Sequence, residues 1–236
     1  MYPNNVPRQI SPVEFQEAFS TAMQRVYLWM ALGLAVTAVV SIFVAGSQAL
    51  LALIFNSPLW IGLFIGEVIL VIAITPLTMR MSPTIGLITF FVYAAINGLT
   101  LSAIFVVYEL GTISLAFSST ALLFGVMSVL GYTTKQDLSH WRNFLLMGLI
   151  GLIIATVGNI FLANSTLDWI ITYVGIGLFL ALTVYDTQQI KNMTLHGLVQ
   201  GDQLLVSRIG VLGALRLYLD FVNLFLYILR LFGRRR

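Results

Sequence analysis

The sequence predicts an all-α integral membrane protein, a seven-transmembrane-helix bundle, and three observations carry that reading. The 236 residues are 59% hydrophobic and 9% charged, whereas an ordinary soluble domain has about 45–50% apolar and about 25% charged residues. Its 12 Lys and Arg and 9 Asp and Glu are too few to keep the surface of a soluble globule of this size hydrated. The apolar runs are also continuous and do not alternate with polar residues, which excludes a membrane β-barrel. Seven spans of about 20 residues would use about 140 residues, so no soluble catalytic domain fits in the remainder.

The apolar runs fall at about 26–46, 59–79, 84–108, 112–133, 143–163 and 168–190, with a seventh between about 209 and 233. The chain therefore divides into a polar N-terminal segment, 1–25, a transmembrane domain, 26–233, and a basic tail, 234–236. The polar stretch MYPNNVPRQISPVEFQEAF precedes the first run, and that run is too long for the apolar core of a signal peptide. Cys is absent, so no disulfide, thiolate nucleophile or iron–sulfur site is expected.

The net charge of +3 is read as a topology signal and not as nucleic-acid affinity, because the basic residues flank the spans. Arg8, Arg25, Arg80, Lys135, Arg142, Lys191 and Arg208 all fall on one side. The opposite loops, around 46–58, 109–111 and 163–168, contain no Lys or Arg. The N-terminus is therefore expected in the cytoplasm. The Arg-rich C-terminal end fits this rule only if the seventh segment re-enters. No Pro or Gly interrupts Ala214 to Phe232, however, and an unbroken helix keeps its backbone bonded by crossing fully.

An ionised side chain at mid-bilayer costs about 2.5–3.5 kcal/mol on insertion scales, so each charge inside a span needs a reason. These are Glu67, Asp186, Arg216 and Asp220. Asp186 precedes Lys191 by five residues, about 7 Å inside the basic boundary, and Asp220 follows Arg216 by four, about 6 Å inside the same boundary. Two carboxylates at one depth can form a dyad in which like charges resist joint ionisation. Singly protonated, such a dyad latches two helices; doubly ionised, it repels itself or attracts a divalent cation such as calcium through hard oxygen ligands. The alternative is that Asp220 pairs with Arg216 on its own helix while Asp186 snorkels toward Lys191.

Glu67 lies about eight residues into the second span and either belongs to a proton or cation pathway or is a neutral hydrogen-bonded acid. Arg80, at the other end of that span, is a possible counter-ion to the aspartates or an interfacial anchor. Asn97, Asn159 and Asn223 are expected to bond between or within helices. Glycine pairs such as Gly148 and Gly151, or Gly175 and Gly177, are expected to let helices approach closely. His140 and His196 lack ligand-like spacing, and Walker, nucleophile-elbow and HExxH motifs are absent. No cofactor and no enzymatic activity are expected.

The blocks FGVMSVLGYTTKQDLSHWRNFLLMGLIGLIIATVGNIFL, GIGLFLALTVYDTQQIK and LRLYLDFVNLFLYILRLFG resemble the bacterial branch of the Bax inhibitor-1 family, with similarity over nearly the whole chain from about Phe15. The resemblance implies a seven-helix bundle with the last helix wrapped by the other six, in the inner membrane. It also implies a pH-sensitive calcium leak, with the family's paired aspartates falling on Asp186 in VYDTQQI and Asp220 in LYLDFVN. Glu67 and Arg80 would match an acidic and a basic residue of the second helix. The alternative activity is a non-transporting regulator that binds a membrane protease or other membrane complex through Met1–Arg25. An intramembrane aspartyl protease would need GxGD or PAL-type motifs, which the sequence lacks.

Overall fold

The computed structural model describes residues 11–80, 82–200 and 203–233, with side chains from 207 onward in the last segment. Arg8 and the tail 234–236 lie outside the described residues. The helices are α1 (Pro12–Ala45), α2 (Gln48–Phe55), α3 (Leu59–Arg80), α4 (Pro83–Leu101), α5 (Ala103–Val107), α6 (Leu110–Thr133), α7 (Trp141–Leu162), α8 (Ser165–Val199) and α9 (Gln203–Phe232). No strand occurs among the described residues, and seven spans are long and apolar enough to cross a membrane, α4 and α5 together making one of them.

Hydroxyl caps begin several of these helices. The Ser11 side chain accepts from the Glu14 amide at 3.1 Å, with Pro12 at the first helical position. Ser82 caps α4 in the same way, accepting from the Ile85 amide at 3.2 Å ahead of Pro83. The polar segment expected over 1–25 is not a separate unit where it is described. Residues 12–25 are the first turns of α1, and Phe19, Ala22, Met23 and Val26, at helical spacing, are buried in the core.

Three boundaries also differ from the sequence reading. The first outer loop contains α2, whose eight residues are apolar but too short to span. The third span breaks at Ser102, which is buried and donates its hydroxyl to the Leu99 carbonyl at 2.6 Å. A serine competing for its own helix's carbonyls often bends a helix. The sixth span runs on to Val199 because Thr194 and Gly197 remain buried beyond the apolar stretch.

Helix α9 is central. Of its apolar window 78% is buried, against 11–33% in the other six spans, as expected for a helix that packs on all sides. It is also a full crossing. Arg230, in its last turn, has Nη1 3.4 Å from Oδ1 of Asp168 in the first turn of α8, at the end of the bundle remote from the basic loops. Close crossings depend on glycine: a Cβ on Gly213 would lie 2.7 Å from Val26 Cγ2 and 3.0 Å from Ile190, and one on Gly175 would lie 2.7 Å from the Tyr227 ring. Gly151 and Gly177 meet nothing within 4 Å, so the close approach expected of them does not occur there.

Candidate functional site

Asp186 and Asp220 lie on the antiparallel helices α8 and α9, just inside the tight crossing of Gly213 over Ile190. Asp220 is 4% exposed and is acted on by the charges of both Asp186 and Arg216. The ion pair runs between the helices: Arg216 Nη1 is 3.5 Å from Asp186 Oδ1, with the Arg216 side chain 41% exposed and that of Asp186 15%. The same-helix pairing of Arg216 with Asp220 is therefore not the arrangement adopted. Lys191 turns elsewhere, its Nζ donating to the Tyr132 carbonyl at 3.5 Å. Oδ2 of Asp220 is buried without a hydrogen-bond partner, which is costly for a carboxyl oxygen in a poorly hydrated interior.

Arg80 is exposed at the end of α3 and makes none of the ion pairs around Asp186 and Asp220. The guanidinium at the dyad belongs to Arg216. Among the described residues no group of three or more His, Asp or Glu gathers to hold a metal.

On the basic side of the dyad a polar layer appears that single residues did not reveal. Tyr27 of α1 is hydrogen-bonded to Ser128 of α6, whose hydroxyl lies 3.2 Å from that of Thr187 on α8. Gln188, the next residue, fastens the α6–α7 loop. Its Oε1 accepts from the Leu138 amide at 2.8 Å and its Nε2 donates to the Gln136 carbonyl. The available signal was the VYDTQQI block itself, in which Thr187 and Gln188 follow Asp186 directly.

Glu67 sits apart from the dyad and is well held. Its Oε1 accepts from the Thr100 hydroxyl of α4 at 2.7 Å. One turn earlier on α4, Asn97 Oδ1 accepts from the Tyr218 hydroxyl at 3.2 Å, and that hydroxyl lies 2.7 Å from Thr37 Oγ1 on α1. The hydrogen-bonded seam thus ties α1, α4 and α9 together beside α3, and Tyr218 is two residues from Asp220. Asn159 and Asn223 act locally: Asn159 Oδ1 accepts from the Asn164 amide at 3.1 Å, and Asn223 donates to the Leu219 carbonyl at 2.8 Å. Asn223 also lines a cavity of about 300 Å³ with Tyr108, Thr156, Tyr227 and Arg230, one turn along α9 from Asp220.

The family described as inhibitor of apoptosis-promoting Bax1 matches residues 20–236. The chain belongs to the Bax inhibitor-1 family. It is 43% identical over 231 residues to the inner membrane protein YbhL of Escherichia coli K12, covering 98% of each chain. It is also 39% identical to a protein of Borreliella burgdorferi over 91% of this chain and 92% of that one, and 38% identical to one of Deinococcus radiodurans over 91% of each. The matched stretch contains Glu67, Asp186, Gly213 and Asp220, since it runs from within α1 to beyond α9.

Proposed function

We propose that this protein is a pH-sensitive calcium leak channel of the inner membrane, with its N-terminus in the cytoplasm, gated by Asp186 and Asp220. The observation that carries the reading is Asp220: a carboxyl group buried on the central helix, with one oxygen unpartnered and a second carboxyl beside it. A site built only for stability would satisfy that oxygen. A site that changes charge state has a reason to leave it free.

The surroundings fit a conduit. The cavity at Asn223 opens one turn beyond Asp220 on α9, and Gln188, two residues from Asp186, fastens the α6–α7 loop on the basic side. Calcium takes about 6–8 oxygen ligands in a tight site. Two carboxylates shared with Arg216 offer far fewer, which suits a passing cargo ion and not a resident one. Arg216 supplies the latch, holding Asp186 across to α9 while the path is closed.

The test is calcium flux into proteoliposomes across pH, comparing wild type with Asp220→Asn and Asp186→Asn. The reading expects flux in the wild type and a flattened pH response in both variants. Flux with an unchanged pH profile in both would overturn the dyad mechanism. Sound vesicles that pass no calcium at any pH would favour a non-transporting regulator of a membrane protease or other membrane complex.

A further inference from the structure

Helices α1 and α6 are joined near the basic end by the Tyr27–Ser128 hydrogen bond and diverge toward the other end. There α4 stops at Leu101, Ser102 turns the chain, and α5 leads off in its place. Between α1, α5, α6 and α9 lies a cavity of about 450 Å³, within the range of about 300–1,000 Å³ typical of small-ligand sites. Phe221 and Phe225 of α9 form its floor, and Ile104, Phe117, Leu34 and Leu110 are among its walls.

The lining selects hydrocarbon. No charged residue contributes to it, and two of its hydroxyl groups are already bonded to backbone. Ser41 donates to the Gly98 carbonyl at 2.8 Å, and Thr37 donates to the Ala94 carbonyl at 2.9 Å. The rim is open: Ile42, Leu110 and Phe117 are 58%, 61% and 48% exposed. In a chain that crosses the membrane seven times, a rim at this depth faces acyl chains. Along most of its length α9 is covered by other helices, so this cleft brings the bilayer against the central helix.

We propose that the cleft is a binding site for one acyl chain of a bilayer phospholipid, seated between α1 and α6 against Phe221 and Phe225. The lip narrows the choice of lipid. Glu109, the residue before Leu110, is exposed there, and no described residue pairs with its carboxylate. A negative charge at the mouth repels an anionic headgroup and accommodates an amine-bearing one. The bound lipid is therefore of the phosphatidylethanolamine type. This site is independent of calcium transport, although its floor at Phe221 adjoins Asp220.

The full chain, reconstituted in mixed phosphatidylethanolamine and phosphatidylglycerol vesicles, tests this with a trace of phosphatidylethanolamine carrying a diazirine in its acyl chain. After irradiation, adducts are mapped by mass spectrometry. Labelling of the peptides bearing Ser114, Phe117, Phe221 and Phe225 is expected to exceed several-fold that of the exposed α7 face at Ile154 and Phe161, which samples bulk lipid. Ala38→Trp and Ser114→Trp fill the cleft from opposite walls. Each is expected to remove the excess while leaving α7 labelling and the helical circular dichroism unchanged. Cleft labelling no greater than that of α7, or undiminished in both filled variants, overturns the proposal. So does chain-to-chain cross-linking through the cleft, which would make its occupant a second copy.

Discussion

Glu67 on α3 and Asp220 on α9 are both carboxyl groups within the bundle, and the surrounding protein treats them in opposite ways. Glu67 receives a short hydrogen bond from Thr100 and borders a seam of neutral donors and acceptors running through Asn97, Tyr218 and Thr37. Asp220 is more deeply buried, keeps an unpartnered oxygen, and has as its charged neighbours another carboxylate and a half-exposed arginine that pairs with that carboxylate instead. On the proposed function, the contrast separates a group that fastens helices from one whose charge state changes. Stability is spent at the second site and gained at the first, the pattern expected where function sets the arrangement.

The largest effect is expected from Asp220→Asn. A single group passes from about 90% to about 10% protonated over about two pH units, and replacing it with an amide should remove the flux change across that interval. Because the variant also removes an unsatisfied ionisable group, its unfolding free energy in detergent should hold or rise by about 0.5–2 kcal/mol. A loss of stability as large as that caused by breaking the Glu67 seam would dissolve the contrast.

Arg216→Gln comes next. It removes the cation nearest both aspartates, and an opposite charge within about 4–6 Å shifts a carboxyl by about 1–3 units. The midpoint of the flux against pH should therefore move by a comparable interval while the response itself survives. The thermal stability should change little, since an ion pair with an exposed partner contributes about 0–1 kcal/mol. An unmoved midpoint would show that Arg216 is an interfacial anchor only.

How much of this could be read from the sequence depends on which kind of signal was involved. The spans follow from the length of each apolar run, because lipid allows no other way to satisfy the backbone. The common depth of Asp186 and Asp220 follows from counting residues to Lys191 and Arg216. The unpartnered Oδ2 does not, since it depends on which side of α9 meets α8. Tyr218 carries no signal of its own in the sequence, because its role arises only where α1 and α4 place Thr37 and Asn97 against its hydroxyl. Ser102 reads as an ordinary residue within a span, and the break there is a tertiary outcome. By sequence Arg80 is either a counter-ion to the aspartates or an anchor and Arg216 is a same-helix partner of Asp220, and only the packing of α8 on α9 turns Arg216 to Asp186 instead.

Thr100→Val tests the fastened side of the comparison. It deprives Glu67 of its donor at 2.7 Å, and hydrogen bonds between membrane helices contribute about 0.6 kcal/mol on average and up to about 2 kcal/mol. The expected outcome is a loss within that range, measured by denaturation in detergent, with the pH dependence of flux retained. A flattened pH response would instead make Glu67 part of the proton-sensing machinery.

The smallest effect is expected from Glu67→Gln, and it sharpens the comparison most because it copies at one site the substitution made at the other. A glutamine carbonyl oxygen can still accept from Thr100, so the bond between α3 and α4 persists and stability should stay within about 0.5 kcal/mol. The pH profile should overlay that of the wild type. Carboxyl-to-amide changes are nearly isosteric at both positions, so a silent Glu67→Gln beside a pH-insensitive Asp220→Asn would locate the response in the unsatisfied group. If both variants lost the response, burial of a carboxyl alone would suffice, and the unpartnered oxygen of Asp220 would have no special part in it.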